Sequence, residues 1–351
     1  MTVVTVGIPS YGRAEKLRAC LAGLARQTAR ARVIVGLDGG SEAEAASVRE
    51  AARRFGLDAE VFAAPRSGYI PVRAELLRRA GSGVFLSLND DVLPAADLVE
   101  RHLEAQGRAV GGVVAAGAAP WVEPEAATAL DALVMRTGAV FGDPEQTTAL
   151  GPEGYRRCFG LNLSFPVEAA LRAGGFHELP MTYGYDDLEM AWRLERRGGL
   201  SLVAAAGAVV RHDHRMSARD LMVREHRLGR AAAAYARAAP EFSRELFRGD
   251  VLEPERLARW ARGLEEDVVD AGRSARAVRA LEDVPASAAE GTLGALRAAW
   301  LPAKRWLWRR GLVEAAAGRE ADEAGAVELL IGAGGVVRVP AGARGAPIET
   351  A

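Results

Sequence analysis

The chain of 351 residues has few of the features that mark secreted or nucleic-acid-binding proteins. It contains two cysteines, Cys20 and Cys158, which argues against a disulfide framework or a zinc cluster. Its formal net charge is −1, so no overall basic field attracts nucleic acid, and no nucleic-acid partner is expected. The N-terminus lacks a basic segment followed by an apolar one, so no signal peptide is expected. Together these absences predict a cytoplasmic protein in a reducing environment.

Long hydrophobic runs are also missing. The longest stretch with little charge, residues 109–122, is rich in glycine, contains Pro120 and is too short to span a bilayer. Hydrophobic residues nevertheless make up 49% of the chain, which is enough to bury a full core. The length suits one large domain or two ordinary ones.

The most informative feature that is present lies at residues 84–91. The apolar run 84–88 is typical of a buried strand, and Asn89, Asp90 and Asp91 follow it directly. Carboxylates at the C-terminal end of a parallel strand point into the crevice where α/β sheets bind ligands. Two such acids favour a hard divalent cation, and a nucleotide diphosphate is the expected anionic partner.

Strand-like and helix-like segments alternate with short connections through the first 91 residues. Strands are predicted at 3–9, 33–37, 59–62 and 84–88, and helices at 15–28, 41–55 and 71–80. Such alternation predicts an α/β fold with a doubly wound parallel sheet. The loops after the clearest strands carry Pro9, Ser10, Tyr11, Asp38 and the residues 89–91. We expect them to meet at one edge of the sheet.

The pattern changes further along the chain. A strand is predicted at 160–165, a helix from 186 to 198, and a strand at 200–210 that leads to His212 and His214. Residues 217–315 are predicted to be helical, and residues 328–339 to form a small hairpin before a disordered end. We therefore divide the chain into a catalytic domain at 1–215, a helical region at 216–317 and a tail at 318–351.

Several of these motifs stand in an order similar to that of the family 2 nucleotide-sugar glycosyltransferases. The matching residues are Ile8 to Tyr11, Asp38 to Ser41, Gly68, Arg73, Asn89 to Asp91, Gly174 to Phe176, Asp186, Asp187 and His212. The resemblance covers about residues 3–215. It implies a GT-A fold, which is a Rossmann-like, mostly parallel sheet with a mixed edge, here followed by a helical region.

The resemblance implies a nucleotide-binding role for the loops after the first two strands. In the family, the first loop packs on the base and ribose, here Pro9, Ser10 and Tyr11, and the acid after the second strand, here Asp38, bonds the base. An aspartate that accepts from a base N–H favours uracil or thymine. The alternative is that Asp38 and Gly39 only form a strand-to-helix turn.

The family pattern also implies a cation site. Asp91 takes the place of the metal ligand, Asn89 that of the ribose contact, and His212 or His214 that of a histidine ligand, while Asp90 belongs to the same site without a defined role. Mg²⁺ or Mn²⁺ suits carboxylate and phosphate oxygens, and a histidine ligand favours Mn²⁺. The alternative is a strand-ending turn with solvated acids.

The phosphate-binding role and the role of catalytic base are assigned to other residues. Arg66 and Arg73 are the candidate phosphate ligands, because arginine suits bidentate phosphate contacts. Asp187 aligns with the catalytic base, with Asp186 beside it. The alternative is that both acids only cap a helix, whose dipole would lower the pKa of Asp187. The sugar pocket is predicted to include Trp121, Asn162, Tyr183 and Tyr185.

The sequence thus predicts an inverting, metal-dependent glycosyltransferase that moves a sugar from a UDP- or dTDP-sugar to a hydroxyl acceptor. A nucleotidyltransferase and a non-catalytic nucleotide-sugar-binding protein remain alternatives. The helical region places Trp300, Trp306 and Trp308 among arginines and a lysine. This pattern is typical of either a peripheral membrane contact or a helix packed on the catalytic domain.

Overall fold

The structure is a computed structural model that describes residues 3–141, 150–151 and 153–333. Its strands are β1 Val4–Ser10, β2 Arg32–Asp38, β3 Ala59–Ala64, β4 Val84–Leu88, β5 Val92–Pro94, β6 Val114–Ala118, β7 Asn162–Pro166 and β8 Leu202–His212. The helices are α1 Ala14–Leu24, α2 Glu42–Arg54, α3 Tyr69–Ala80, α4 Leu98–Gln106, α5 Ala129–Arg136, α6 Val167–Arg172, α7 Asp186–Arg196, α8 Ala218–Ala238, α9 Pro240–Leu246, α10 Pro254–Glu266, α11 Val268–Ala280, α12 Leu293–Ala316 and α13 Glu323–Gly332.

The strands form one mixed sheet in the order β3-β2-β1-β4-β7-β6-β8-β5. The first four strands of this order are parallel to one another, whereas β7 runs antiparallel to both β4 and β6. Strand β8 is parallel to β6 and antiparallel to the short edge strand β5. This topology agrees with the predicted Rossmann-like sheet with a mixed edge and a C-terminal helical region.

The central strands are mainly apolar because helices cover both faces of the sheet. Every residue of β1 and β4 is buried, including Thr5, Ser10 and Ser87, so these strands do not alternate strictly between apolar and polar residues. Helix α3 packs against β2 at Gly36, where a Cβ atom would overlap the side chain of Val72. This close approach places Arg73, the next residue of α3, near the edge of the sheet where the parallel strands end.

The helix starts follow local chemistry. Ser41 and Glu44 form the capping box of α2. Helix α3 begins at Tyr69, two residues before the predicted start, because Gly68 serves as its N-cap with a φ of 89°. Pro71 then lies in the first turn, where a missing N–H costs no helical hydrogen bond.

The C-terminal helices form a separate core in which α8 and α12 cross closely. Gly229 and Gly311 make this crossing possible, since a Cβ on either would overlap a backbone carbonyl of the other helix. Trp300 is fully buried and Trp306 is 2% exposed. Burial removes Trp300 and Trp306 from the suggested membrane contact. Helix α12 is packed, as the alternative expected, but mainly on α8 and α11 and not on the catalytic domain. Within the described residues, no helix combines the length and hydropathy that crossing a membrane would require.

The tail differs from the prediction. Residues 323–332 form helix α13, so the first half of the suggested hairpin is not a strand. The Asp322 side chain caps this helix by accepting a hydrogen bond from the Gly325 amide. Ala326, Val327 and Leu330 are buried at helical spacing, and this tertiary burial explains the outcome. Residues 334–339 and the predicted disordered end lie outside the described residues.

Candidate functional site

A cavity of about 1150 Å³ opens at the edge of the sheet where the parallel strands end. Ser10 ends β1, Asp38 ends β2, Asn89 follows β4, and His212 ends β8, and all four line the cavity. The structure thus brings together Ser10 and His212, which are 202 positions apart in the chain. The expectation that the loops after the clearest strands meet at one edge agrees with this arrangement.

Asp90 and Asp91 are both 4% exposed, and Arg13 bridges them. One guanidinium nitrogen, Nη1, lies 2.5 Å from Asp91 Oδ2 and 3.3 Å from Asp90 Oδ1. Asp90 also accepts a hydrogen bond of 2.7 Å from the Ser10 hydroxyl. Burial, reinforced by the charge of Asp91, raises the pKa of Asp90. Arg13 therefore supplies the positive charge that these two buried acids require.

Asp91 also faces both candidate histidines. Its Oδ1 atom lies 3.5 Å from His212 Nε2, and its Oδ2 atom lies 3.3 Å from His214 Nδ1. Although burial opposes ionisation, the two imidazoles hold the pKa of Asp91 well below its usual range. The imidazole rings of His212 and His214 are stacked with their planes 9° apart.

Two observations test whether these residues suit a divalent cation. Asp91 Oδ1 and His212 Nδ1 are buried without a hydrogen-bond partner in the described part of the chain. One carboxylate and two imidazoles are also the donor set that Mn²⁺ accepts. Against this, no group of three or more His, Cys, Asp or Glu side chains in the described ranges is arranged to hold a metal ion. Asp91 and its two histidines therefore suit at most a partial coordination shell, which a bound ligand would have to complete.

Asp38 is 2% exposed, and its oxygens are already used inside the protein. They accept hydrogen bonds from the Ser67 amide at 2.7 Å and the Gly68 amide at 3.2 Å, and they pair with the Arg66 guanidinium. Arg66 in turn lies over the ring of Tyr11, 3.6 Å from its centroid. Asp38 thus holds the loop before α3, while Tyr11 and Arg66 present a half-exposed surface to the cavity.

Arg73 is 3% exposed and makes a buried ion pair with Asp186 at 2.5 Å. It also donates to the side chain of Asn89 at 3.0 Å, and the Tyr69 hydroxyl donates to Asp186 at 2.8 Å. Arg73 and Asn89 line the cavity. Asp186, proposed from the sequence as a catalytic group, does not line the cavity, because it is 2% exposed and bound to Arg73 and Tyr69.

Asp187 directly follows Asp186, but its side chain is placed differently. Its side chain lines the cavity while accepting hydrogen bonds from the Gly160 amide at 2.7 Å and the Leu188 amide at 2.8 Å. Burial, reinforced by the charge of Asp186, raises the pKa of Asp187 to about 7. The helix-cap hypothesis predicted a lowered pKa for Asp187. In the structure, desolvation of the carboxylate outweighs the effect of the helix dipole.

Of the four residues predicted for the sugar pocket, three line the cavity and one does not. Trp121, Tyr183 and Tyr185 line the cavity, and the Trp121 ring lies 4.3 Å from that of His212. Asn162 does not line it, because it is 1% exposed and bonds the backbone carbonyls of Ala118 and Ala208. Its assignment to the sugar is therefore corrected to a role inside the sheet.

Sequence reasoning missed two parts of the site. Arg13 was not singled out, although it stands three residues after Ser10 in a loop already assigned to the site. The cavity is also walled by side chains of α8, α10 and α12, among them Trp260 and Trp308. Their helical periodicity indicated helices but not which face meets the sheet, so no sequence signal could have located them.

Comparison with known proteins gives a family and a fold. Residues 5–127 match the model described as glycosyl transferase family 2. No curated protein matches the chain significantly in sequence. Among solved structures, the chain is similar to the mannosyltransferase PcManGT from Pyrobaculum calidifontis in complex with GDP-Man and Mn²⁺, with a TM-score of 0.52 and 19% identity over 90% of this chain and 86% of that one. TarS 1–349 from S. aureus in complex with UDP-GlcNAc is also similar, with a TM-score of 0.47 and 14% identity over 90% and 92% of the two chains.

The match and the mixed sheet confirm the resemblance that the strand-end motifs indicated. Because the family model ends at residue 127, Asp187 and both histidines lie outside it. The chain has the GT-A glycosyltransferase fold, and its residues 5–127 match glycosyl transferase family 2.

Proposed function

We propose that the protein is an inverting glycosyltransferase that transfers a sugar from a nucleoside-diphosphate sugar to a hydroxyl acceptor. One observation carries this proposal. A single cavity is lined by the strand-end residues of the nucleotide motifs, by Asp91 and His212, and by a carboxylate, Asp187, whose pKa is raised to about 7.

Asp187 is the proposed base. In an inverting transfer, the acceptor hydroxyl attacks the anomeric carbon from the face opposite the diphosphate, and a carboxylate takes its proton. A pKa near 7 suits a general base at neutral pH. The amides of Gly160 and Leu188 fix the carboxylate, and the buried pair of Asp186 and Arg73 holds the start of α7 in place.

Asp91, His212 and His214 would hold a divalent cation. When bound, that cation offsets the charge of the diphosphate and stabilises the leaving group. Arg13 and Arg66 are half-exposed cations at the same edge of the sheet. When the donor binds, each side chain would turn from its carboxylate partner, Asp90 or Asp38, toward the phosphates. Arg73 lies deeper and orients Asn89 toward the ribose.

A UDP- or dTDP-sugar is the donor that the sequence resemblance implies, although Asp38, the base contact behind that expectation, is already bonded inside the protein. GDP is the natural comparison because the mannosyltransferase from Pyrobaculum calidifontis was solved with GDP-Man. Since both oxygens of Asp38 are already bonded, base selection falls to the surface of Tyr11 and Arg66 and to the loop that Asp38 holds.

Thermal shift measurements test the proposal directly, because a ligand that binds the folded state raises its melting temperature. We expect UDP or dTDP to raise the melting temperature, and to raise it further with Mn²⁺. Asp91→Asn should remove the Mn²⁺-dependent part, whereas Asp213→Asn, the neighbouring acid that does not line the cavity, should retain it. If UDP, dTDP and GDP all fail to shift the transition with and without Mn²⁺, the proposal is wrong.

Two alternatives give different results. Binding of UDP-sugars without any donor hydrolysis or transfer would favour a non-catalytic binding protein. Release of pyrophosphate from UTP and a sugar 1-phosphate would favour a nucleotidyltransferase.

A further inference from the structure

The cavity continues past the nucleotide motifs into a groove against the C-terminal helices. We call this part the helical groove and define it by Arg224, Arg256, Trp260, Lys304, Arg305 and Trp308. These residues come from α8, α10 and α12, which lie outside the part of the chain that matches the family model.

The helical groove is basic. Six basic side chains line it, since Arg227 and Arg309 join the four that define it, and the acids that share it are Glu225 and Glu323. Glu225 is 1% exposed and is held by Arg224 at 2.7 Å and by Lys304 at 3.7 Å. Glu323 pairs with Arg227 at 3.1 Å. Both acids are thus already bound, and a net positive charge remains.

Arg305 and Arg309 are the cations most available to a ligand. Arg305 is exposed and has no ion-pair partner among the described residues. Arg309 has a single distant partner, Asp267, at 3.5 Å in a solvent-exposed position. Such a pair contributes little and is easily exchanged for another anion.

Aromatic rings stand among these cations. The rings of Trp260 and Trp308 meet edge to face at 5.7 Å, and the Arg256 guanidinium lies 5.4 Å from the Trp260 ring. An aromatic face packs against the apolar C–H face of a sugar ring, while guanidinium groups bind phosphate or carboxylate. The combination suits a ligand that carries both kinds of group.

The helical groove leads to the proposed base. The Trp308 indole donates to the Tyr185 hydroxyl at 3.1 Å, and Tyr185 is the residue before Asp186 and Asp187. The groove and the Asp187 carboxylate thus line one cavity, and Tyr185 connects Trp308 to the start of α7. An acceptor must share a cavity with the base in this way.

We propose that the helical groove is the acceptor site and that the acceptor is a saccharide or polyol bearing phosphate or carboxylate groups. This inference rests on the proposed function. The anionic groups bind Arg305 and Arg309, and a ring packs on Trp260 or Trp308. A lipid bilayer is a poor alternative, because the groove is concave and Trp300 and Trp306 are buried.

Binding of matched charged and neutral probes tests the inference. The probes are trigalacturonate with its trimethyl ester, and glucose 6-phosphate with glucose, each added to the full chain saturated with UDP and Mn²⁺. Tryptophan fluorescence is the readout, because Trp260 and Trp308 line the groove. We expect a charged probe to bind about tenfold more tightly than its neutral partner, with weakening as salt rises. The carboxylate and phosphate arms identify which anion is preferred.

Arg305→Gln with Arg309→Gln should abolish this preference and leave the UDP-induced thermal shift unchanged. Arg297→Gln with Arg262→Gln is the matched control, since these exposed arginines of α12 and α10 do not line the cavity. Equal binding of charged and neutral probes, or a preference that survives in the first pair of variants, would overturn the inference. Tighter binding to phosphatidylglycerol vesicles than to either soluble probe would overturn it as well. Loss of the UDP shift alone counts against the proposed function and not against an anion-binding groove.

Discussion

The sheet side and the helical side of the cavity handle charge in opposite ways. On the sheet side, Asp38, Asp90, Asp91 and Asp186 each have a cation partner inside the protein. On the helical side, the basic groups outnumber the acids that pair with them, and Arg305 faces solvent. The sheet side is thus pre-organised before any ligand arrives, whereas the helical side offers unpaired charge.

This difference corresponds to where the family model ends. Residues 5–127 carry most of the nucleotide motifs, and the helices that wall the groove lie beyond them. A common donor chemistry on the sheet and an individual acceptor chemistry on the helices would produce this division. The following changes test each side separately.

Replacing the proposed base should have the largest effect. Asp187→Asn keeps the size of the side chain but removes the group that takes the proton, so transfer should fall by about 10²- to 10⁴-fold. The UDP-induced thermal shift should persist, because the nucleotide is bound by the sheet side. Glu195→Gln on the same helix is the control and should retain transfer. Full activity in Asp187→Asn would show that the base lies elsewhere.

The pH dependence should be the next largest effect. Because the pKa of Asp187 is raised to about 7, the rate of transfer should rise roughly tenfold per pH unit from about pH 5 to about pH 7 and then level off. Between about pH 4 and about pH 7, the Asp187 carboxyl keeps its proton in the folded state but has released it in the unfolded state. Asp187 therefore contributes less to the free energy of unfolding as pH rises from about 4 to about 7.

Measurement of unfolding by urea at several pH values checks the sign of this second effect. The free energy of unfolding of Asp187→Asn, taken relative to that of the parent protein, should be larger at about pH 8 than at about pH 5. A parent protein whose transfer rate is already constant from about pH 5 would contradict the raised pKa.

A change at the helix crossing addresses the helical side alone. Gly229→Ala places a methyl group against the Trp308 carbonyl, so overpacking should destabilise the protein by about 1–3 kcal/mol. Gly263→Ala in α10 is the control, because its Cβ would meet other atoms no closer than 3.7 Å. That control should gain up to about 1 kcal/mol from helix propensity. Equal destabilisation of both variants in thermal unfolding would contradict the close crossing.

Removing the bridge between the two buried acids should have the smallest effect. Arg13 contacts Oδ2 of Asp91, so its charge would repel a cation held by the same carboxylate, and its side chain is 43% exposed. Arg13→Ala should therefore tighten Mn²⁺ binding by about fivefold, the equivalent of about 1 kcal/mol for a partly exposed ion pair. Calorimetric titration with Mn²⁺ measures this directly, with Arg18→Ala on the same segment as control. Weaker Mn²⁺ binding in Arg13→Ala would mean that Arg13 supports the site instead of competing for it.

Much of the sheet side could be predicted from the sequence, because its elements depend on local patterns. Apolar runs such as 84–88 define buried strands, and the capping box at Ser41 defines the start of α2. Since parallel strands end at one edge, the meeting of Ser10, Asp38 and Asn89 follows from the order of the elements, whereas the place of His212 beside Asp91 was implied by the family resemblance. Local periodicity failed for residues 328–332, where burial against neighbouring helices produces α13.

The sequence by itself determined which residues stand at the edge of the sheet and the class of chemistry that they suit. Only the tertiary structure decided which of their atoms are free for it. Arg73 and Asp186 are 113 positions apart, and their buried pair removes Asp186 from the cavity and leaves Asp187 facing it. The Asn162 amide donates hydrogen bonds to carbonyls 44 and 46 residues away. Of the tryptophans in α12, Trp300 and Trp306 are buried in the core, whereas Trp308 lines the groove. Such pairings depend on long-range geometry and desolvation, which no local pattern of residue types encodes.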